Sequence, residues 1–382
     1  MEMIRESLQG LSFGLSIFFC ICTVICCGHK KPNGPPYQAH IVASTPSGYQ
    51  LVTVEFQTLT DPDAVRGTLG EVLGDAVVNA LADDTDIIDP SRRSNVYVES
   101  GKTVSLDYDI KGNVIYPKNF DSMALLAMYY NFERTFEFWR EKLGLTLADF
   151  GQSRLFYAPR MRVSENGTVL EGTLKVNAAF VPGLRDFWFF KTSRLEGIPI
   201  TMNFGVLAHE FSHSVFDMKF GRKDTTVYES ESLISQDELS GINEGLADFF
   251  SYVVTGSVSE FGASLETVAK ERTLPVSWTY STLASSGCEG SYYCKGSILA
   301  SALYEIATTG NRSAAEVGKI AFEAMSDFRN DWEVEKNNST FDYNYYIGRF
   351  LARVDESQKG DYCTIFQKWF DSGRVRDNIG CP

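Results

Sequence analysis

Residues 38–118 alternate between apolar and polar positions in "HIVASTPSGYQLVTVEFQTL" and "SNVYVESGKTVSLDYDIKGNVIY", a period of two that predicts half-buried strands. Between them "TLGEVLGDAVVNAL", 68–81, is a denser apolar run and reads as a short helix. "DSMALLAMYYNFERTFEFWREKLG", 121–144, has helical periodicity, with Asp121 as its N-cap and Gly144 as its stop. Strand patterning returns in "RLFYAPRMRVSENGTVLEGTLKVNAAFV", where "SENGT" is a hairpin turn, and "FWFF", 187–190, reads as a buried strand. From Pro199 the period is helical, over 200–218, 235–255, 258–271, 295–309, 313–327, 342–356 and 362–371. No internal repeat interrupts this order. The pattern is that of an α+β chain, β-rich in its first half and helical in its second. It divides into 1–37, an apolar segment and linker; 38–118, a β-rich region of unassigned role; and 119–382, a larger domain with lobes 119–218 and 219–382.

The apolar segment, "LSFGLSIFFCICTVICC" at 11–27, carries no charge and is followed by the polar, Pro-rich "GHKKPNGPP". Its 17 residues are marginal for a spanning helix and long for a secretory core. A cleaved signal, a lipoprotein acylated on Cys26 or Cys27, and an uncleaved anchor all remain open. Lys30 and Lys31 would favour a cytoplasmic C-terminal side for a simple anchor. The expectation is an exported chain, membrane-anchored or a lipoprotein facing the periplasm or cell exterior, or secreted if the segment is removed. Cys288, Cys294, Cys363 and Cys381 fit disulfides formed in an oxidising compartment, and Cys288–Cys294 and Cys363–Cys381 are the local pairings. A formal charge of −14 argues against a nucleic-acid partner, which would need a basic footprint.

"HEFSH", 209–213, holds the only two histidines after Tyr49. On a helix, residues four apart share a face, so His209 and His213 can aim at one ion. Glu210, turned by about 100°, can reach a water there without ligating. The bland alternative is a core helix whose imidazoles satisfy buried hydrogen bonds. Phe216 and Lys219 stand where a third histidine motif would need glycine and histidine, and no histidine follows His213, so a carboxylate must complete the shell. "SGINEGLADFFSYVVTG", 240–256, offers Glu244, with Asp248 one turn on. Asp248 is placed to orient His209, and Asn243 to orient His213.

"HEFSH" followed by "NEGLADFF" resembles the glutamate zincins, the thermolysin-like and fungalysin-like metallopeptidases. The resemblance implies a zincin-like fold, with the active-site helix between a β-rich N-terminal and a helical C-terminal lobe. It implies one zinc ion per chain on His209, His213 and Glu244, Glu210 as general base and Asp248 behind His209. "KVNAAFV", 175–181, is similar to the family's substrate-holding edge strand, so Asn177 and Ala178 become substrate-binding candidates. The family's downstream oxyanion histidine is missing. Tyr293 and Tyr292, before a helix that resembles the family's, are candidates for that role, and Tyr228 is another. The expected function is a zinc endopeptidase acting on proteins or peptides. The alternative is a membrane-tethered metal-binding protein of the same fold without turnover.

Overall fold

The alternation at 38–56 closes on itself as a hairpin, β1 (Tyr37–Thr45) against β2 (Gly48–Phe56), in register from Tyr37 opposite Phe56 to Thr45 opposite Gly48. Tyr37, Ala39, Ile41 and Ala43 form its buried face. This is a computed structural model. It describes Pro32, residues 34–81, 96–99, 101–165, 168–172, 178–181, 184–190, 197–221, 233–259, 261–264, 272–285, 291–335, 342–371 and Cys381. All of them belong to one unit, Pro32–Pro382.

The further strands are β3 (Leu59–Asp61), β4 (Arg66–Gly67), β5 (Gly70–Gly74), β6 (Val77–Leu81), β7 (Val96–Glu99), β8 (Lys102–Thr103), β9 (Tyr108–Lys111) and β10 (Val114–Pro117). After the first helices come β11 (Ser153–Tyr157), β12 (Arg160–Glu165), β13 (Thr168–Gly172), β14 (Ala178–Val181) and β15 (Asp186–Phe189). They form three mixed sheets, ordered β2-β1-β10-β9, β14-β15-β11-β5-β4-β3 with β8 beside β5, and β13-β12-β6-β7. The helices are α1 (Phe120–Phe138), α2 (Leu147–Phe150), α3 (Phe204–Phe216), α4 (Leu233–Thr255), α5 (Tyr292–Thr309), α6 (Ala314–Glu335), α7 (Tyr343–Ala352) and α8 (Glu356–Phe370). The chain is α+β.

Several local expectations change, and the helices expected over 313–327, 342–356 and 362–371 run instead over Ala314–Glu335, Tyr343–Ala352 and Glu356–Phe370. The run 68–81 is not a helix but β5 and β6, paired in parallel with β11 and β12. A strand buried between neighbours reads as an unbroken apolar run, which periodicity cannot tell from a helix. Gly70 decides the matter locally. A Cβ there would lie 2.0 Å from the Ser153 carbonyl oxygen, and its φ of +152° is glycine's territory. The cap of α1 is Asn119, whose side chain accepts from Ser122 N at 2.8 Å. Asp121 sits instead in the first turn, where its charge meets the positive end of the helix. Where a helix is expected over 258–271, residues 261–264 form a turn, and 265–271 lie outside the described residues.

The core holds α3 from behind. Phe211 stacks on Phe150 at 4.7 Å and meets Phe132 edge-on at 5.4 Å, and all three rings are buried. In front, α3 crosses α4, where Ser251 Oγ donates to the Gly205 carbonyl at 2.8 Å. Helix α4 in turn lies close on α5. A Cβ on Gly245 would stand 2.4 Å from the Gly296 carbonyl oxygen, so the two backbones meet where no side chain fits. Cys363 and Cys381 form a disulfide, and Cys294 is also disulfide-bonded. The expected partner of Cys294, Cys288, lies outside the described residues, as does the segment 11–27. No helix among the described residues is long and apolar enough to cross a membrane.

Candidate active site

Helix α3 starts at Asn203, whose side-chain oxygen accepts from the main-chain N–H of Gly205 at 2.9 Å and of Val206 at 3.2 Å. That cap begins the helix six residues before His209, and a little over one turn later His213 falls beneath it. Nε2 of His209 and Nε2 of His213 lie 3.0 Å apart; the first stands 3.5 Å from Oε2 of Glu244 on α4 and the second 3.5 Å from its Oε1. Around a tetrahedral zinc ion with bonds of about 2.0–2.1 Å, neighbouring ligand atoms are about 3.3–3.4 Å apart. The observed spacings bracket that value. His213 Nδ1 lies 2.9 Å from Asn243 Oδ1, an acceptor, so the ring proton belongs on Nδ1 and the Nε2 lone pair is turned to the shared point. Nδ1 of His209 stands 3.1 Å from Asp248 Oδ1, off the line of a well-aligned hydrogen bond. Two imidazole nitrogens and a carboxylate so close together and largely out of water are donors that converge on one point. His209, His213 and Glu244 therefore form a cluster able to hold a metal ion, and a divalent cation fits this donor set.

The site's charge balance includes Arg272, a residue without a sequence signal of its own in "KERTLPV". It is buried, and it donates from Nη2 to Glu244 Oε2 at 2.9 Å and to Asp248 Oδ1 at 2.5 Å, and from Nε to Asp248 Oδ2 at 3.1 Å. Burial and the Arg272 charge oppose a proton on His209, but Asp248 and Glu244 outweigh them and push its pKa up to about 10. For Glu244 burial favours the neutral acid, yet His213, His209 and Arg272 together hold it well below the usual carboxylate range. The only clue available in sequence is indirect. Two carboxylates buried one turn apart on α4 require positive charge nearby.

Glu210, next to His209 on α3, is buried and reaches β14. Its Oε2 accepts from the Phe180 main-chain N–H at 2.8 Å. β14 is an edge strand among the described residues and pairs antiparallel with β15. Ala178 opens that strand and is buried, whereas Asn177 and Tyr228 lie outside the described residues. Tyr292 Oη donates to Tyr293 Oη at 3.2 Å. The Tyr293 ring lies 5.2 Å from the Arg272 guanidinium. Burial first, then the charge of Glu244, pushes the Tyr293 hydroxyl far above its ordinary value, so it stays protonated and can only donate to an anion. Phe261, a second residue without a sequence signal, covers His209 with ring centroids 5.2 Å apart.

No family model matches this sequence, and no curated protein matches it. Among solved structures the chain is similar to the precursor of protealysin, a metalloproteinase from Serratia proteamaculans. The TM-score is 0.47 and the identity 14%, covering 80% of this chain and 89% of that chain.

Proposed function

We propose that this chain is a zinc-dependent endopeptidase of the glutamate-zincin kind, with α3 as the active-site helix between a β-rich and a helical lobe. The observation that carries the reading is the convergence of His209, His213 and Glu244 from two helices; Glu210 follows His209 directly on α3. One zinc ion per chain would be held by those three side chains. Bound zinc brings the pKa of water to around 7 and polarises a carbonyl oxygen. Glu210 takes a proton from the attacking water and passes it to the leaving amine. Its hydrogen bond from Phe180 N fixes one carboxylate oxygen and leaves the other for that transfer. Asn243 holds His213 in the required tautomer, and Asp248 sets a negative charge 3.1 Å behind His209 Nδ1.

Tyr293, kept protonated, donates to the oxyanion in place of a histidine, with Tyr292 hydrogen-bonded behind it. A protein or peptide substrate lies extended along β14 near Asn177 and Ala178 and adds as a further strand. The disulfide bonds at Cys363 and Cys294 support an exported chain, either held at a membrane through residues 11–27 or released when they are removed.

The test is Glu210→Gln assayed on casein together with zinc content. The variant should retain one zinc per chain and lose about 10²–10⁴ in turnover. Undiminished cleavage by the variant would remove Glu210 from the mechanism. One zinc with no cleavage by the unaltered chain would make this a metal-binding protein without turnover.

A further inference from the structure

The β1–β2 hairpin belongs to the part of the chain that carries no metal ligand, yet it reaches the start of the metal helix. Helix starts leave N–H groups without helical acceptors. Asn203 Oδ1 takes those of Gly205 and Val206, and the next, Leu207 N–H, bonds the Asn203 carbonyl in the ordinary way. Phe204 N–H remains, and it donates to Tyr49 Oη at 2.9 Å. Tyr49 Oη in turn donates to Asn203 Oδ1 at 3.1 Å. The cap of α3 is thus finished by a hydroxyl 154 residues upstream of Asn203.

The cap is held from two more sides. Asn203 Nδ2 donates to Ser264 Oγ at 2.8 Å, and Ser264 Oγ donates to the Ile198 carbonyl at 2.5 Å. Arg134 on α1 stacks its guanidinium 4.1 Å from the centre of the Phe204 ring and donates to the Ser44 carbonyl, on the same hairpin, at 3.1 Å. Two ties, Tyr49 and Arg134, therefore join the hairpin to the first residue of α3. Asn203 itself is fully buried.

We infer that the β1–β2 hairpin is a positioning element for the metal site, and that Tyr49 sets where α3 carries His209, Glu210 and His213 relative to Glu244. The physical route is short. A helix is stiff over two turns, so its first residue fixes the height and rotation of the face that follows. The ligand atoms of α3 and α4 must meet within a few tenths of an ångström, and they are joined only by tertiary contact. A hydroxyl that fixes the start of α3 acts on that match directly. The inference rests on the metal-site reading above, but not on peptidase turnover.

The test is cobalt(II) titration of the full chain, read by its visible absorption, on the unaltered protein, Tyr49→Phe and Tyr346→Phe. Tyr346 on α7 is the control, because it also loses one buried hydroxyl bond, to the Ala321 carbonyl of α6 at 3.0 Å, and takes no part in the cap of α3. Tyr49→Phe should weaken cobalt binding about threefold to tenfold and shift the absorption band, while Tyr346→Phe leaves both unchanged. Arg134→Met, which cuts the second tie, should move cobalt affinity in the same direction and serves if Tyr49→Phe does not fold. Equal cobalt affinity and an unshifted band in Tyr49→Phe, or equal losses in Tyr49→Phe and Tyr346→Phe, would overturn the inference and leave the metal site standing. No cobalt on the unaltered chain would overturn both.

Discussion

Arg272 lies where two buried carboxylates, Glu244 and Asp248, would otherwise repel each other on one face of α4. Removing one partner of a buried charge network costs about 3–5 kcal/mol, because the charges left behind lose their compensation. Arg272→Met should therefore lower the melting temperature strongly in chelator. Zinc replaces part of the missing positive charge, so the loss should be smaller with the ion bound. Thermal unfolding with and without zinc measures both. Equal losses in the two conditions would show that Arg272 and the ion do not share those carboxylates. At this scale the sequence was uneven evidence. His209, Glu210, His213 and Glu244 stood out because a helix turns three- and four-residue spacings into one face. Arg272, Phe261 and Tyr49 did not, because nothing local links them to the residues they touch.

Elements were legible where their own ends carry the signal. Gly144, at φ +79°, stops the segment that begins with α1, and the paired runs around "SENGT" are β12 and β13, with the turn residues 166 and 167 outside the described set. Residues 68–81 look helical in sequence because their strand character depends on β11 and β12, which lie some eighty residues away. The contact of α4 with α5 is another such case. "NEG" looks like an ordinary helix interior, but Gly245 is needed because Gly296 passes over it. Gly245→Ala would gain about 1 kcal/mol of helix propensity, yet its methyl meets backbone that cannot turn aside. The variant should lose about 1–3 kcal/mol of stability. It should also bind zinc more weakly, because Glu244 is the neighbouring residue. Denaturant unfolding and a zinc titration would check the two effects. A variant as stable as the parent would mean that the helices can separate freely.

In the whole molecule, the cluster joins a helix that follows the β-rich half to one inside the helical half. A ligand that binds only the folded chain stabilises it by mass action, by about 2.7 kcal/mol at a hundredfold excess over Kd. Chelation should lower the melting temperature and zinc should restore it. A melting curve indifferent to both would mean that no such ion bridges α3 and α4. The sequence by itself determined the α+β order of elements, the position of most helices and the nature of the donor set, since each depends on neighbours a few residues apart. Only the tertiary structure decided that β5 is a central strand, that Arg272 balances the site and that a hairpin tyrosine caps α3. Those contacts are set by packing between segments far apart in the chain, and no local pattern records which distant residue will fill a given space.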